Sequence, residues 1–295
     1  MQVISTHVRY IIILCCFGLL GAGCNIINPV EQTPTYVHID SFQFVNNPLV
    51  RSLTNSHAIS SVWVYYNNNP LGEFDLPVTF PVITNGSSTG EIQLYPGVSI
   101  NGLNDYPNIY PFYVPDTSLI LKNEPGKIVS YTPHTTFYTT TKIGWNTNFS
   151  EGAPSGLALA AGNIPLQTVV QPDSLVFEGS GSGMVYMTNP GVDSSVDSSA
   201  AFTIPSGDAY IEFNYKSDVQ FYFGLQSNLS TLISAAPFYL AGINPSNTWQ
   251  KFYLNITQFI FEYTGTNYNL YIKTSLPAGQ PTGRLLLDNI QIVTF

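Results

Sequence analysis

The sequence predicts an all-β protein of two β-sandwich domains behind a short N-terminal leader. Three observations predict it. Only 9% of the 295 residues are charged, against about 25% in average soluble proteins, and Ser, Thr, Asn, Gln and Tyr take their place. Aromatic residues reach 14%, and aromatic and β-branched side chains suit a pleated surface rather than a helix. Short apolar-alternating runs recur along the chain between Asn-, Gly-, Pro- and Ser-rich turns, as sandwiches require. The chain is longer than one small sandwich needs, so two domains are expected.

The leader comes first. Arg9 is followed by the apolar run from Tyr10 to Leu20, and the small residues Gly21, Ala22 and Gly23 lead into Cys24. That run is short for a bilayer span and has the small-residue exit of a cleavable signal over residues 1–23. Cys15 and Cys16 leave with it, so Cys24 is the one cysteine of the expected mature chain, with no disulfide and no thiol-based metal site. Residues 24–34 contain Pro29 and Pro34 and no apolar period, and read as a tether.

The first domain is assigned to residues 35–150, immunoglobulin-like or similar. Val37 and Ile39 alternate with Tyr36, His38 and Asp40, and the apolar phase then shifts to Phe42 and Phe44, which suggests a bend. Ser60 to Tyr66, the turn Asn67-Asn68-Asn69-Pro70 and Leu71 to Phe74 form a hairpin signal. Strands follow at 80–83, 91–95, 118–121, 128–132 and 136–142. Between them, residues 96–113 are long, turn-rich and aromatic. Such loops often carry binding; the plainer expectation is a flap whose Ile100, Leu103, Ile109 and Phe112 cover one end of the sandwich. Residues 151–172, rich in Gly, Pro and Ala, are read as a linker.

The second domain, 173–295, is expected to hold strands at 174–177, 184–187, 209–215, 219–225, 238–241, 249–256, 270–274 and 284–293, with 189–199 as a loop and a helical turn at 258–263.

Charge excludes two partner classes. The net charge is -9, and the basic residues left once Arg9 departs are scattered. Nucleic-acid binding and adhesion to anionic lipid both need clustered cations. His38, His57 and His134 sit in no metal or nucleophile-base spacing, and Gly179-Ser180-Gly181-Ser182-Gly183 lacks the helix of a phosphate loop. No enzyme is expected.

Three resemblances add to this. The small residues ending in Cys24 are similar to the lipobox of bacterial lipoproteins, with Gly21 where Leu is commonest. This implies cleavage before Cys24 and lipid on its sulfur, a stable membrane anchor. Val62-Trp63-Val64-Tyr65, Leu71-Gly72, Leu76 to Val82, Pro96-Gly97, Asn101-Gly102 and Tyr110-Pro111-Phe112-Tyr113 follow Tyr36 to Asp40. The series resembles functionally uncharacterised outer-membrane lipoproteins of Bacteroidota. That resemblance implies an outer-membrane, lipid-anchored protein and carries over no catalytic residue. Members that face the outside often have acidic residues just after the lipidated cysteine; here Asn25-Ile26-Ile27-Asn28 follows, so the membrane face stays open.

Trp249 to Ile256 and Gly283 to Ile292 resemble the late strands of jelly-roll carbohydrate-binding modules of the galactose-binding-like kind. In such modules acidic groups placed like Glu178 and Asp288 help hold a structural calcium, which would be the one cofactor. The alternative for Asp288 is a carboxylate that hydrogen-bonds a neighbouring turn. Strand alternation turns Tyr210, Tyr222, Tyr253 and Tyr271 out of the core, with Glu212 and Asn255 in the same orientation. Flat rings beside amides and carboxylates match the C–H patches and hydroxyls of sugars. These six residues are the candidate glycan site; the alternative is that outward tyrosines merely cover their neighbours. The expected function is therefore a lipid-anchored, non-enzymatic envelope protein with a glycan-binding C-terminal module. The rivals are an assembly lipoprotein that binds a protein partner, and a sugar-active hydrolase with an acidic pair.

Overall fold

The structure, a computed structural model, describes residues 31–103, 107–228, 236–263 and 265–295. The leader, Cys24 and most of the tether lie outside the described residues. Almost all of the regular secondary structure among the described residues is strand. Among the described residues no helix is long and apolar enough to cross a membrane.

Ten strands make the first unit: β1 (Thr35–Ile39), β2 (Gln43–Phe44), β3 (Ile59–Tyr66), β4 (Asn69–Asp75), β5 (Val78–Val82), β6 (Thr89–Val98), β7 (Asn108–Ile109), β8 (Asp116–Lys122), β9 (Ile128–Ser130) and β10 (His134–Thr135). One sheet runs β4-β3-β6-β7, with β8 also on β6; a second runs β5-β1-β9; β2 and β10 form a small parallel pair. Alternation sets which residues meet between the sheets. Val37 and Ile39 of β1, Val62 and Val64 of β3, Phe80 and Val82 of β5, and Ile92 and Leu94 of β6 are all fully buried. The β3–β4 turn holds Asn67 and Asn68 at φ of 48° and 64°. Asparagine tolerates this left-handed conformation, which matches the strand twist in a tight hairpin.

The second unit begins earlier than the composition suggests. β11 (Lys142–Thr147) pairs antiparallel with the last strand, β21 (Gly283–Thr294). Residues 151–172, expected as a linker, supply β12 (Leu157–Gly162) and β13 (Gln167–Val169). Then come a 3-10 turn at Asp173–Leu175 where a strand was expected, β14 (Ser182–Met187), β15 (Ser194–Ser199), β16 (Ala209–Ser217), β17 (Phe221–Ser227), β18 (Phe238–Ile243), β19 (Ser246–Asn255), α1 (Thr257–Glu262) and β20 (Tyr268–Ser275). A six-stranded sheet runs β13-β14-β21-β16-β19, with β11 also on β21. A five-stranded sheet runs β12-β15-β20-β17-β18. Their inner faces share one core, in which Ile211, Phe213 and Leu287 of the first sheet meet Phe221, Phe223 and Leu270 of the second. Phe213 and Phe223 stack with ring centroids 4.2 Å apart.

The two units are fused along a seam. Tyr110, Phe112, Tyr113 and Phe137 from the first lie over Tyr210, Tyr253 and Val293 on the outer face of the six-stranded sheet. Of the aromatic segment, Ile100, Tyr110, Phe112 and Tyr113 thus act as a flap, but they cover the neighbouring unit rather than an end of their own sandwich. Phe112 is buried there, while Leu103 stays exposed.

Candidate functional site

The six candidate glycan residues divide between two surfaces. Tyr210 on β16 and Tyr253 and Asn255 on β19 belong to the six-stranded sheet, as does Glu212. They do point away from their own core, but the first unit covers them: Tyr210 is 4% exposed, and Tyr253 and Glu212 are 1% exposed. Asn255 is half-buried and donates to the Tyr210 hydroxyl at 2.8 Å. Tyr222 on β17 and Tyr271 on β20 lie on the other sheet and face outward, half-exposed. A single platform of four tyrosines is therefore not formed. An aromatic face of one domain is also a good docking face for another, and sequence alternation does not distinguish the two uses.

The buried group has its own chemistry. The Tyr110 hydroxyl donates to Glu212 Oε1 at 2.5 Å, Gln291 Nε2 donates to Oε2 at 3.1 Å, and Lys251 Nζ pairs with Oε2 at 2.8 Å. The Lys251 side chain is 2% exposed. The Tyr113 and Tyr253 hydroxyls lie 3.2 Å apart, and the Tyr253 hydroxyl accepts the Ala58 N–H. Burial, then the Glu212 charge, holds the Tyr110 hydroxyl well above its ordinary pKa. Burial pushes Tyr210 up to about 12. Burial and the Lys251 charge together lower the pKa of His57, whose Nδ1 is buried without a hydrogen-bond partner. A buried pair with satisfied lone pairs fixes orientation more than it adds stability. Glu212 is closed to any substrate, so this cluster positions one domain on the other.

The open face is that of the five-stranded sheet. Registered pairs place Tyr222 beside Lys273 and Gly242, and Gly224 beside Tyr271 and Tyr239. A side-chain carbon added at Gly224 would meet the Tyr239 ring at 2.9 Å, and one at Gly242 would meet the Tyr222 ring at 2.9 Å. The two rings therefore lean across cross-strand glycines instead of standing clear of the sheet. Their centroids are 6.2 Å apart, edge to face. The Tyr222 hydroxyl donates to Gln220 at 2.8 Å and the Tyr271 hydroxyl to Gln226 at 2.7 Å. These bonds fix the ring tips. The result is a half-exposed aromatic surface rimmed by amides, with Tyr222, Tyr239 and Tyr271 at its centre.

Sequence reasoning missed Tyr239. The run Phe238 to Ile243 carries a register shift opposite Phe223 and Gly224, and Leu240 and Ala241 both pack on the core, so strict alternation assigns the wrong face. The two glycines, each opposite a tyrosine, were the available signal.

Glu178 and Asp288 do come together at a second place. Asp288 is fully buried and accepts Ser182 Oγ–H at 2.7 Å and the Asn289 N–H at 2.7 Å. Glu178 accepts Asn289 Nδ2–H at 2.6 Å. Burial pushes the Asp288 pKa up to about 6. Asn289 has φ of 47° at a bulge in β21, where two residues of β21 face one of β16. A polar cavity of about 360 Å³ opens beside it, lined by Asn46, Ser52, Thr54, Asn55, Asn148 and Glu178. Among the described residues no group of three or more His, Cys, Asp or Glu is placed to hold a metal ion.

The remaining residues have packing or surface roles. His38 bonds Thr79 and Asp40 at the surface, Trp145 stacks on Phe202, and Trp249 packs against Phe177.

No protein-family model matches the chain, and no curated protein does. Among solved structures it is similar to carbohydrate-binding modules over about half its length. TmCBM61 in complex with β-1,4-galactotriose is 11% identical, with a TM-score of 0.36, covering 49% of this chain and 92% of that one. The CBM22-1 xylan-binding domain of Paenibacillus barcinonensis Xyn10C is 15% identical, with a TM-score of 0.37, covering 50% and 91%. The family 11 module of the cellulosomal cellulase Lic26A-Cel5E of Clostridium thermocellum is 12% identical, with a TM-score of 0.34, covering 50% and 93%.

Proposed function

We propose that the chain is a lipid-anchored, non-enzymatic envelope protein of the outer membrane that binds a glycan on the five-stranded sheet of its second unit. The carrying observation is the half-exposed surface of Tyr222, Tyr239 and Tyr271, with ring tips tied to Gln220 and Gln226. Rings held against a sheet lose little freedom when a sugar stacks on them, and amide side chains serve the hydroxyls. In this reading the first unit is immunoglobulin-like and serves as a rigid spacer. The second is a galactose-binding-like jelly roll. Lipid on Cys24 is the membrane link.

The test is a glycan array with the mature chain carrying Cys24→Ser. Hits are followed by titration calorimetry on Tyr222→Ala, Tyr239→Ala and Tyr271→Ala. Each loss of a stacking ring is expected to weaken binding about tenfold, that is about 1.4 kcal/mol. An array without hits, or variants that bind as the parent does, would sink the glycan reading and leave the protein-partner reading standing. Lipidation is tested by detergent phase partition: the parent is expected in the detergent phase and Cys24→Ser in the aqueous one. The calcium expectation reduces to Glu178 and Asp288, bridged by Asn289. A higher melting midpoint in calcium than in chelator would support the ion; equal midpoints would remove it.

A further inference from the structure

The charge on the tyrosine face is unusual for this chain. Its five strands, LALAAG, SSVDSS, FYFGLQS, FYLAGI and YNLYIKTS, contain two charged residues. One is Asp197, which is 1% exposed, points inward and accepts Ser195 Oγ–H and the Leu166 N–H. The other is Lys273, exposed on the central strand β20. A protein of net charge -9 therefore presents on this sheet one cation and no outward anion.

Lys273 stands within the aromatic surface. It is registered opposite Tyr222, lies two residues from Tyr271, and holds its Nζ 5.3 Å from the centroid of the Tyr239 ring. The ion pairs among the described residues join His38 to Asp40, Lys127 to Glu124 and Lys251 to Glu212; none uses Lys273. A ligand stacked on the three tyrosines would cover this ammonium. A neutral ligand would strip water from the charge and return only the π face of Tyr239 and hydroxyl dipoles. A ligand anion would pair with it. At physiological ionic strength charges act over about 8 Å, so the local Lys273 outweighs the distant acidic surface for a bound group.

We propose that the glycan taken by this face is an acidic one, whose carboxylate or sulfate group pairs with Lys273 while its sugar rings stack on Tyr222, Tyr239 and Tyr271. The proposal rests on the glycan reading and adds the substrate class to it.

The experiment uses two matched pairs of probes with the mature chain: an oligogalacturonate and its methyl ester, and a sulfated galactan with its desulfated form. Each pair shares a backbone and differs in charge, and the two pairs distinguish carboxylate from sulfate. The charged member of at least one pair is expected to bind about threefold to fivefold tighter, the range of an exposed ion pair. The gap should close as salt is raised. Lys273→Gln should remove it by weakening the charged member, while the neutral member, freed of the cost of covering an ammonium, binds no more weakly than before. Neutral members that bind as tightly as charged ones, still depending on Tyr222, would overturn the acidic assignment and leave the glycan reading intact. A charge preference that survives Lys273→Gln would overturn the role of Lys273. Absence of binding to both pairs and to the neutral array would remove the glycan reading itself.

Discussion

Replacing Tyr110 by phenylalanine removes one oxygen from the middle of the seam and little else. The Tyr110 hydroxyl donates to Glu212 at 2.5 Å, and both residues are buried. Glu212 keeps Lys251 at 2.8 Å and Gln291 at 3.1 Å, so its charge is not orphaned. The loss is that of a hydrogen bond to a charged acceptor, about 2 kcal/mol. Tyr113→Phe is the internal control. Its hydroxyl meets the neutral Tyr253 hydroxyl at 3.2 Å, and that hydroxyl retains the Ala58 N–H, so about 1 kcal/mol is expected. Urea melts of the mature chain measure both, with unchanged m-values as the check on two-state behaviour. A thermal midpoint about 4–8 °C lower is expected for Tyr110→Phe, from roughly 2–4 °C per kcal/mol in larger domains. The parent should melt in one transition, because the seam buries side chains of both units against each other. If Tyr110→Phe costs no more than Tyr113→Phe, the claim that Glu212 organises the seam is wrong.

Further outcomes follow from the same contacts. Glu212→Ala leaves the Lys251 ammonium buried and unpaired and should cost about 3–5 kcal/mol, read from the same melts. A fragment of residues 142–295 exposes Tyr210, Tyr253 and Val293 and is expected to bind a hydrophobic dye and aggregate; a monodisperse, cooperatively melting fragment would contradict the seam. Asp288 gains protons on folding between its ordinary 3.8 and about 6, so it contributes stability below that window and loses it as pH rises through about 6. Asp288→Asn should therefore raise stability at neutral pH by up to about 3 kcal/mol and flatten the profile between pH 4 and 6; an unchanged profile would show that the carboxylate titrates normally. Gly224→Val would press a side chain against the Tyr239 ring and the Phe238 carbonyl, so a glycan titration should show weaker binding and the melting midpoint should fall.

Some of the architecture could be read directly from residue pattern. β16 alternates cleanly, and Ile211 and Phe213 lie in the core as the period-two rule requires. The hairpin at Asn67 and Asn68 was legible because asparagine is among the few residues that tolerate its backbone angles. β15 was hidden because its pattern is inverted. Ser195, Asp197 and Ser199 face inward and Val196 outward, an arrangement stabilised by buried hydrogen bonds, to the Leu166 and Leu270 N–H groups among others, that leave no apolar trace in the sequence. β12 was hidden because LALAAG, an edge strand exposed beyond Leu157, shows no apolar–polar alternation to mark a buried face. The site was half legible for another reason. Facing outward from a sheet is a local property that alternation reports. Lying under another domain is a long-range property, decided by Tyr110 and Glu212, which are 102 positions apart in sequence.

The placement of β1 has a mechanical consequence. This strand lies at the start of the described chain and is held on both sides: five residues paired with β5 and three with β9. Tension applied at Thr35 along the strand would load both ladders in shear, so their hydrogen bonds must yield together rather than unzip singly. Beyond them the load passes into the fused seam and on to β21, an interior strand of its sheet. A chain pulled from its N-terminal side while gripped on the tyrosine face would thus meet resistance at every junction along the path, with no slack linker between the two units to extend first.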